Sequence, residues 1–332
     1  MPPSPAMVTA ACHRCWWRAR AWLARQPPEL LVLRLLLLVL TVSCIPTRFP
    51  SLYYEYIPAE RLTAELLPPP RPADGQPPLC APPSPLPAEF PVDQSPATDS
   101  EVAALAVGAP VNCTPHHRVA VVVPYRARAD QLRIFLRHMH PFLRAQRLDY
   151  SIYVVEQTFR FPFNRGKLLN IGVAEAVAAS GVDCVVLHDV DLLPENLGNV
   201  YACGARPRHL SVLVSSLRYQ LPYSMLAGGV LAITVEAFRK ANGFSNLYFG
   251  WGAEDDDLAE RLVVAELRLT RPDPRVSRYT MLEHRHETPS EDRIHLLREA
   301  RQRAALDGLN SLRYTVLARE DRRTHHWIRV EV

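Results

Sequence analysis

The sequence predicts an α/β domain with a mostly parallel central sheet and helices on both faces. From residue 117 to residue 194, continuous runs of β-branched residues alternate with segments whose apolar residues recur at helical spacing. This alternation is typical of parallel strands that are connected by helices. The chain has 332 residues, of which 48% are hydrophobic, so it can bury a substantial core.

Each element of this domain follows from its own pattern. The segment HRVAVVVPYR predicts a strand, and DQLRIFLRHMHPFL predicts the next helix because Leu132, Phe135 and Met139 share one helical face. SIYVVEQ and CVVLHDVDLLP predict two further strands, and KLLNIGVAEAVAAS between them predicts a helix. In such sheets, ligands bind beyond the carboxyl ends of the strands.

Two classes of function are disfavoured. The sequence has no GxGxxG or GxxxxGK phosphate-binding loop, which argues against a nicotinamide-dependent dehydrogenase or a P-loop enzyme. The net charge is only +4 and the basic residues form no long tract, which argues against a nucleic-acid-binding protein.

The N-terminal region predicts a membrane anchor. Residues 30–45 are mostly apolar, interrupted by Arg34, and are just long enough to span a bilayer. Four basic residues precede them: Arg14, Arg18, Arg20 and Arg25. This charge predicts that residues 1–29 are cytoplasmic and that the chain after the anchor is lumenal, with a cleaved signal peptide as the alternative. Such a short span suits a thin early secretory or Golgi membrane.

Proline marks the segment that follows. Most of the chain's 31 prolines precede residue 116. We therefore expect a proline-rich stem over residues 46–79, which could extend to residue 115, and a lumenal folded domain over residues 80–332.

The cysteines and one sequon fit this topology. Three of the seven cysteines lie in or beside the anchor: Cys12, Cys15 and Cys44. The other four would be lumenal: Cys80, Cys113, Cys184 and Cys203. They could form two disulfides, in any of three pairings. Asn112 begins the sequon NCT for N-glycosylation.

Acidic residues mark two candidate sites. Asp189 and Asp191 follow a predicted strand, and in extended backbone residues two apart project to the same side, so both would face one divalent cation. A polar turn is the alternative. In FGWGAEDDD, the four acids Glu254–Asp257 precede a helix, where some would interact with its N-terminus. Crowding raises the pKa of carboxylates, and one raised towards neutrality would serve as a general base.

Five blocks of the sequence resemble the β1,4-galactosyltransferase family: FGWGAEDDD, HDVDLLP, VVVPYRAR, FNRGKLLNIGV and DGLNSLRYTVL. The resemblance covers roughly residues 80–332. It implies a GT-A fold with a Rossmann-like, mostly parallel sheet, and a type II protein of the Golgi membrane. It also implies Mn²⁺-dependent, inverting β1,4 transfer of N-acetylgalactosamine or galactose from a UDP-sugar to a terminal sugar, with N-acetylglucosamine expected, on a glycoprotein or glycolipid.

The same resemblance assigns roles to residues. Asp255 would be the catalytic base, and Glu254 would position the acceptor. The metal ligands would be Asp191, Met281 and His284. The donor site would comprise Pro124, Tyr125, Arg126, Arg128, Phe163, Arg165, Asp189, Val190, Leu226, Gly229 and Trp251. The acceptor site would comprise Tyr223, Gly252, Glu254, Asp255 and Ile294. The resemblance also implies a mobile loop around Trp251, a lid from Met281 to about Arg298, and disulfides that join Cys80 to Cys113 and Cys184 to Cys203.

Two positions depart from the family pattern. Members that accept N-acetylglucosamine carry an Arg-Phe pair before DRI, where this chain has Ser290 and Glu291, so the acceptor stays open. Members that transfer galactose typically have tyrosine where this chain has Leu226, which predicts room for an N-acetyl group on the donor. A neutral packing substitution is the alternative at Leu226. Rival functions are a catalytically inactive sugar-binding relative and a metal-dependent phosphohydrolase.

Overall fold

A computed structural model describes residues 54–66, 77–109, 112–284 and 287–332. These residues belong to one compact unit of the chain. The predicted cytoplasmic tail and anchor, residues 1–45, lie outside the described residues. Among the residues that are described, no helix combines the length and apolar character needed to cross a membrane.

The described ranges contain strands and helices in alternation. The strands are β1 (Tyr54–Ile57), β2 (Arg118–Tyr125), β3 (Asp149–Gln157), β4 (Cys184–His188), β5 (Leu192–Pro194), β6 (Arg208–His209), β7 (Leu213–Val214), β8 (Val230–Thr234), β9 (Leu269–Pro272), β10 (Arg278–Met281), β11 (Thr315–Asp321) and β12 (His326–Glu331). The helices are α1 (Ala59–Glu65), α2 (Asp99–Ala103), α3 (Ala129–Ala145), α4 (Arg165–Ser180), α5 (Val235–Lys240), α6 (Glu254–Val264), α7 (Arg293–Arg298) and α8 (Ala300–Arg303).

Nine of these strands form one mixed sheet. Their order is β1-β9-β6-β8-β4-β2-β3-β12-β11. Pairing is parallel from β1 to β6 and from β4 to β12, and antiparallel on both sides of β8 and between β12 and β11. The three strands expected from the sequence, β2, β3 and β4, lie side by side at the centre and run parallel, so the predicted α/β architecture is confirmed. Strands β5, β10 and β7 form a separate small sheet.

Helices cover both faces of the central sheet. Alternate residues of β2 point to opposite faces, so that Val121 packs with α3 in one core cluster and Val122 packs with α4 in the other. Helix α4 lies very close to the sheet, because a Cβ on its Gly172 would collide with Val122. This packing fixes the carboxyl ends of β2, β3 and β4 along one edge.

Residues 54–66 differ from the extended stem that the sequence predicts. Strand β1 pairs in parallel with β9, and Ile57 and Leu62 are buried against Val200 and Ala202. Pro58 occupies the N-cap of α1, where its missing N–H costs no helical hydrogen bond. The sequence prediction missed this short apolar segment because it relied on the high proline content of the whole region before residue 116. The folded domain therefore begins before residue 80.

Both disulfides implied by the family resemblance are present. Cys80 is bonded to Cys113 and Cys184 to Cys203. Asn112, the sequon asparagine, is exposed beside the first disulfide.

Candidate active site

The candidate site residues follow the carboxyl ends of three parallel strands. Arg126 and Arg128 come directly after β2, Asp189 and Asp191 after β4, and Arg165 begins the helix that follows β3. Because these strands run parallel, the fold places the three groups at the same edge of the sheet, where ligands bind in sheets of this kind.

Asp191 lies at the centre of the candidate metal site. Its Oδ2 accepts a hydrogen bond from Arg128 Nη1 at 3.0 Å and lies 2.9 Å from His284 Nδ1. Burial opposes ionisation of Asp191, but the hydrogen bond from His284 and the charge of Arg128 hold its pKa below the ordinary value. The same hydrogen bond raises the pKa of His284. This hydrogen bond keeps the two metal-ligand candidates together.

Met281 joins this pair through strand pairing. Strand β10 runs antiparallel to β5 with Met281 opposite Leu192, and the N–H of Leu282 donates to the carbonyl of Asp191 at 2.7 Å. The Ser216 hydroxyl lies 3.1 Å from Met281 Sδ. Among the described residues, no three His, Cys, Asp or Glu side chains are grouped to hold a metal ion. The site thus offers a carboxylate, an imidazole and a thioether, a set that fits a divalent cation held with one weak ligand.

Asp189 has a different partner from Asp191. Arg165 Nε donates to Asp189 Oδ1 at 2.6 Å, and Arg165 Nη1 lies 3.5 Å from Glu254 Oε1. The expected extended backbone from Asp189 to Asp191 is wrong, because the N–H of Leu192 donates to the carbonyl of Asp189 at 3.3 Å and closes a turn. Because of this turn, Asp189 pairs with Arg165 while Asp191 pairs with Arg128, so the two carboxylates do not share one partner.

The acids of α6 are crowded at its first turn. Burial and the charge of Asp255 raise the pKa of Glu254 to about 7, against the opposing charge of Arg165. Burial and Asp255 also raise the pKa of Asp256 to about 6, although a hydrogen bond with Tyr223 opposes that rise. The N-cap is Ala253, which makes no side-chain hydrogen bond, so the acids affect the helix end through the dipole.

Asp257 has a structural environment. Its side chain is fully buried, and it accepts hydrogen bonds from Arg261, from the Tyr248 hydroxyl at 3.0 Å and from Arg303 Nη2 at 3.1 Å. It therefore anchors α6 from beneath while the preceding acids face the site.

Two glycines connect the base candidate to the aspartate turn. A Cβ on Gly228 would collide with Asp255 Oδ2, so the carboxylate lies directly against the backbone there. The carbonyl of Gly229 accepts from the N–H of Asp189 at 3.2 Å and lies 3.4 Å from Arg165 Nη2. Gly229 has φ of 82°, which glycine adopts readily. The candidate base Asp255 and the donor-site candidate Asp189 thus contact adjacent residues of one Gly-Gly link.

The loop around Trp251 contacts both the donor block and the lid. Trp251 is 56% exposed, and its N–H donates to the carbonyl of Thr288 at 2.9 Å. The N–H of Ser290 returns a hydrogen bond to the Trp251 carbonyl at 3.0 Å, and the N–H of Gly250 donates to the Phe163 carbonyl at 2.8 Å. Movement of either segment would therefore disturb the other.

Arg126 connects the donor block to the same lid. Its guanidinium donates to the carbonyl of Phe161 at 2.9 Å and to Glu287 Oε2 at 3.0 Å. Its Cζ lies 5.5 Å from the ring centroid of Phe159 and 5.1 Å from that of Phe163. No local pattern indicates Glu287 or Phe159, because their roles depend on contacts between segments that are distant along the chain.

The remaining predicted residues divide by exposure. Pro124, Tyr125 and Val190 are buried, so they contribute mainly to the wall beneath the site. Tyr223 and Ile294 are 43% and 49% exposed. A Cβ on Gly252 would lie 3.1 Å from Arg293 Cδ, which places the helix that carries Ile294 beside the Trp251 loop. Leu226 is half-buried.

Two family models match most of the described domain. One, described as the N-terminal region of glycosyl transferase group 7, matches residues 86–204. The other, described as the N-terminal domain of galactosyltransferase, matches residues 208–285.

Known proteins agree with these models. Human β-1,4-galactosyltransferase 3 is 47% identical over 215 residues, which are 64% of this chain and 55% of the relative. β-1,4-Galactosyltransferase 4 of Cricetulus griseus is 46% identical over 214 residues, 64% of this chain and 62% of the relative. The chain therefore matches little more than half the length of these curated relatives.

Solved structures show the same fold. The catalytic domain of Drosophila β1,4-galactosyltransferase 7, in complex with xylobiose, is 30% identical with a TM-score of 0.58 over 65% of this chain and 94% of that one. A mutant of the same enzyme, in complex with manganese, UDP-Gal and xylobiose, is 29% identical with a TM-score of 0.58. The expected GT-A fold is confirmed. With five sequence blocks in common, two family models over more than half of the residues and a shared fold, the chain belongs to the β1,4-galactosyltransferase family.

Proposed function

We propose that this chain is a Mn²⁺-dependent, inverting glycosyltransferase of the Golgi lumen. It transfers N-acetylgalactosamine or galactose from a UDP-sugar, in β1,4 linkage, to a terminal sugar of a glycoprotein or glycolipid. The relatives named above support the reaction class, and the solved complex with manganese, UDP-Gal and xylobiose supports the metal, the donor type and a sugar acceptor. The exposed sequon at Asn112 is compatible with a lumenal domain.

One observation carries the proposal. The Gly228–Gly229 link has the carboxylate of Asp255 against one residue and the backbone of Asp189 bonded to the next. The candidate proton acceptor and the turn that leads to Asp191 thus contact adjacent residues of one backbone segment that has no side chains. A sugar-binding protein without catalysis needs no such carboxylate, and a phosphohydrolase would be expected to group more metal-binding acids and histidines.

The chain's residues divide the reaction between them. Asp191, His284 and Met281 would hold Mn²⁺, which when bound acts as a Lewis acid that neutralises the diphosphate leaving group. Asp255 removes the proton from the acceptor hydroxyl as its oxygen forms a bond to the anomeric carbon. The bond from that carbon to the diphosphate breaks on the opposite face, which inverts the configuration. Glu254 positions the acceptor, and its Oε1 lies 3.5 Å from Arg165 Nη1.

Replacement of the base tests the reaction. Asp255→Asn should lower transfer at least roughly 10²-fold, because the acceptor hydroxyl loses its proton acceptor. UDP affinity in Mn²⁺, measured by calorimetry, should stay close to that of the wild type, and EDTA should abolish transfer by the wild-type protein. Asp321→Asn, an acid on the edge strand β11 whose side chain is 89% exposed, is the matched control and should leave transfer unchanged. Asp255→Asn activity within a few-fold of wild type would refute the assignment, and hydrolysis of UDP-sugar without transfer would favour the phosphohydrolase.

Leu226 is the proposed determinant of the donor sugar. It precedes Ala227 and the Gly228–Gly229 link, and it stands where galactose-transferring members carry tyrosine. Leucine is smaller than tyrosine and lacks its hydroxyl, so it leaves space for an N-acetyl group and an apolar contact for the acetyl methyl. We therefore infer that UDP-N-acetylgalactosamine is used at least as well as UDP-galactose.

The reverse substitution tests this inference. Leu226→Tyr should shift the ratio of kcat/KM values towards UDP-galactose by about tenfold or more, the scale of about 1.4 kcal/mol of pocket discrimination. Met225→Tyr, one residue away, is the control for a bulky neighbour, and no shift of that size is expected from it. If the wild type strongly prefers UDP-galactose and Leu226→Tyr leaves that preference unmoved, the chain is a plain galactosyltransferase.

A further inference from the structure

Arg271 is a buried cation beside the donor-sugar segment. It lies in β9 and is fully buried, and its Nη2 donates to the carbonyls of Leu226 at 2.6 Å and Ser224 at 3.1 Å. Within the described residues, its hydrogen-bond partners include no carboxylate. A buried charge with such partners is costly unless aromatic rings and carbonyl dipoles surround it. Arg271 therefore has strict geometric requirements for its neighbours.

A second chain of contacts leads from Arg271 to the Gly-Gly link. Arg271 Nε donates to His209 Nδ1 at 3.3 Å, and His209 Nε2 lies 2.8 Å from the carbonyl of Gly228. Burial and the charge of Arg271 lower the pKa of His209 to about 3, so the imidazole is neutral. Since Nδ1 accepts from Arg271, Nε2 carries the hydrogen and donates to Gly228. One guanidinium thus fixes the carbonyls of residues 224, 226 and 228, directly or through His209.

The outer side of Arg271 is covered by the segment that the sequence predicts to be a stem. Arg271 Cζ lies 3.9 Å from the ring centroid of Tyr54, the first residue of β1. The register of the β1–β9 pair places Tyr56 opposite Arg271 and Tyr54 two residues away on the same side of the strand. Tyr54 also packs against the same core cluster as Met225. Strand β1 therefore supplies the aromatic surface against which the guanidinium rests.

Two salt bridges hold this segment in place from the other side. Arg206 pairs with Glu55 at 2.8 Å and with Glu65 at 3.0 Å. The backbone at Glu65 and Leu66 also lies directly against Gly204, where a Cβ would collide with the Glu65 carbonyl. The segment is thus docked along its length, and Tyr54 is a fixed part of the domain.

We propose that Arg271 is a positioning residue for the donor sugar, and that Tyr54, contributed by the segment before the catalytic core, holds Arg271 in its working geometry. The inference rests on the proposed function, because that function makes Leu226 the determinant of the donor sugar. It adds that donor selectivity depends on a strand far from the reacting atoms. Tyr54 does not touch the donor, so it acts through Arg271 and the carbonyls that Arg271 binds.

Substitutions of Tyr54 in the full chain test this proposal. Tyr54→Ala removes the ring and should raise KM for the UDP-sugar about three- to tenfold, the range of a lost cation–π contact, while it changes the GalNAc/Gal ratio of kcat/KM by a similar factor. The Kd for UDP in Mn²⁺ should change less than about twofold, because the nucleotide contacts come from other segments. Tyr54→Phe keeps the ring and should stay within about twofold of wild type in every measurement.

Tyr314→Ala is the matched control. Tyr314 packs against the same core cluster and donates a hydrogen bond to Glu175 at 2.8 Å, so its loss tests simple destabilisation. It should lower the melting temperature without changing the donor ratio. Wild-type donor ratio and KM in folded Tyr54→Ala would overturn the proposal, as would equal damage from Tyr54→Phe.

Amide hydrogen exchange gives a readout that does not need activity. The peptide that covers residues 223–230 should exchange faster in Tyr54→Ala than in the wild type, Tyr54→Phe or Tyr314→Ala. Unchanged exchange there would overturn the positioning role even in an inactive protein. A wild type that binds UDP but transfers neither sugar would refute the proposed function, and the exchange comparison would still decide this inference.

Discussion

Arg165 shows how single residues tune this site. Its guanidinium lies between Asp189 and Glu254, and Asp255 is close to the same group of charges. Because two acids share one cation in a buried setting, one of them can hold a proton near neutral pH. That acid is Glu254, whose pKa is raised to about 7, chiefly by burial. The raised pKa couples the protonation of the site to the stability of the fold.

The sign of this coupling can be measured. The folded protein keeps the Glu254 proton up to about pH 7, whereas the unfolded chain loses it near pH 4.5. The protonated Glu254 therefore makes its full contribution to the free energy of unfolding below pH 4.5, and this contribution is lost as the pH rises to 7. Glu254→Gln cannot titrate. In EDTA, the free energy of unfolding of Glu254→Gln should therefore gain roughly 1–3 kcal/mol relative to wild type between pH 5 and pH 8. Denaturation curves whose difference is the same at both pH values would contradict this.

The site residues that could be predicted from the sequence are those whose environment is formed by their neighbours along the chain. The acids of α6 stand together in the sequence, so their crowding could be predicted, and so could the edge of the sheet at which Asp191 lies. The ion pairs of Arg126 with Glu287 and of Arg165 with Glu254 join distant segments, and no local pattern specifies them. The role of Tyr54 could not be predicted, because its strand has only four residues and lies in a proline-rich region that predicts an extended stem.

At the scale of elements, helix α6 is held by a buried charge network. Arg303 from α8 donates to Asp257 at 3.1 Å and to Asp307 at 3.0 Å. Asp257 lies one turn below Glu254, so the network connects the acid-bearing helix to the segment that follows the lid. The positions of Glu254 and Asp255 thus depend on Arg303 and Asp307, which lie in later elements of the chain.

Removal of Arg303 should therefore be costly. Arg303→Met leaves Asp257 with less compensation for its buried charge and should reduce the free energy of unfolding by about 2–4 kcal/mol. Arg301→Met, two residues away, is the matched control. Its side chain is 59% exposed and pairs with Glu260, so its loss should cost at most about 1 kcal/mol. Equal effects of the two substitutions in chemical denaturation would contradict a supporting role for Arg303.

On the scale of the whole molecule, the sheet begins earlier than composition indicates. Strand β1 and helix α1 bury Ile57 and Leu62 against Val200 and Ala202 and neutralise Arg206. A protein that starts at residue 80 would expose this apolar surface and leave Arg206 without its two carboxylates. The domain boundary is therefore a question of stability as well as of activity.

Two truncations measure that contribution. A protein that starts at residue 51 should melt roughly 5–10 °C above one that starts at residue 80, because the longer one keeps about 2–3 kcal/mol of burial and ion pairing. Differential scanning calorimetry of the two, each with both disulfides intact, gives the comparison. Equal melting temperatures would show that residues 54–66 add nothing to the domain's stability.

The pairing of β1 with β9 also has a consequence for biosynthesis. More than 200 residues separate Tyr54 from its partner Leu269. At roughly 5–20 residues per second, the ribosome delivers β9 about 10–40 s after β1. During that interval an aromatic-rich strand has its backbone unpaired, which is the condition in which strands associate with wrong partners. Glu55, between Tyr54 and Tyr56, places a charge on the strand throughout that wait, and Arg206 neutralises it when the two segments meet.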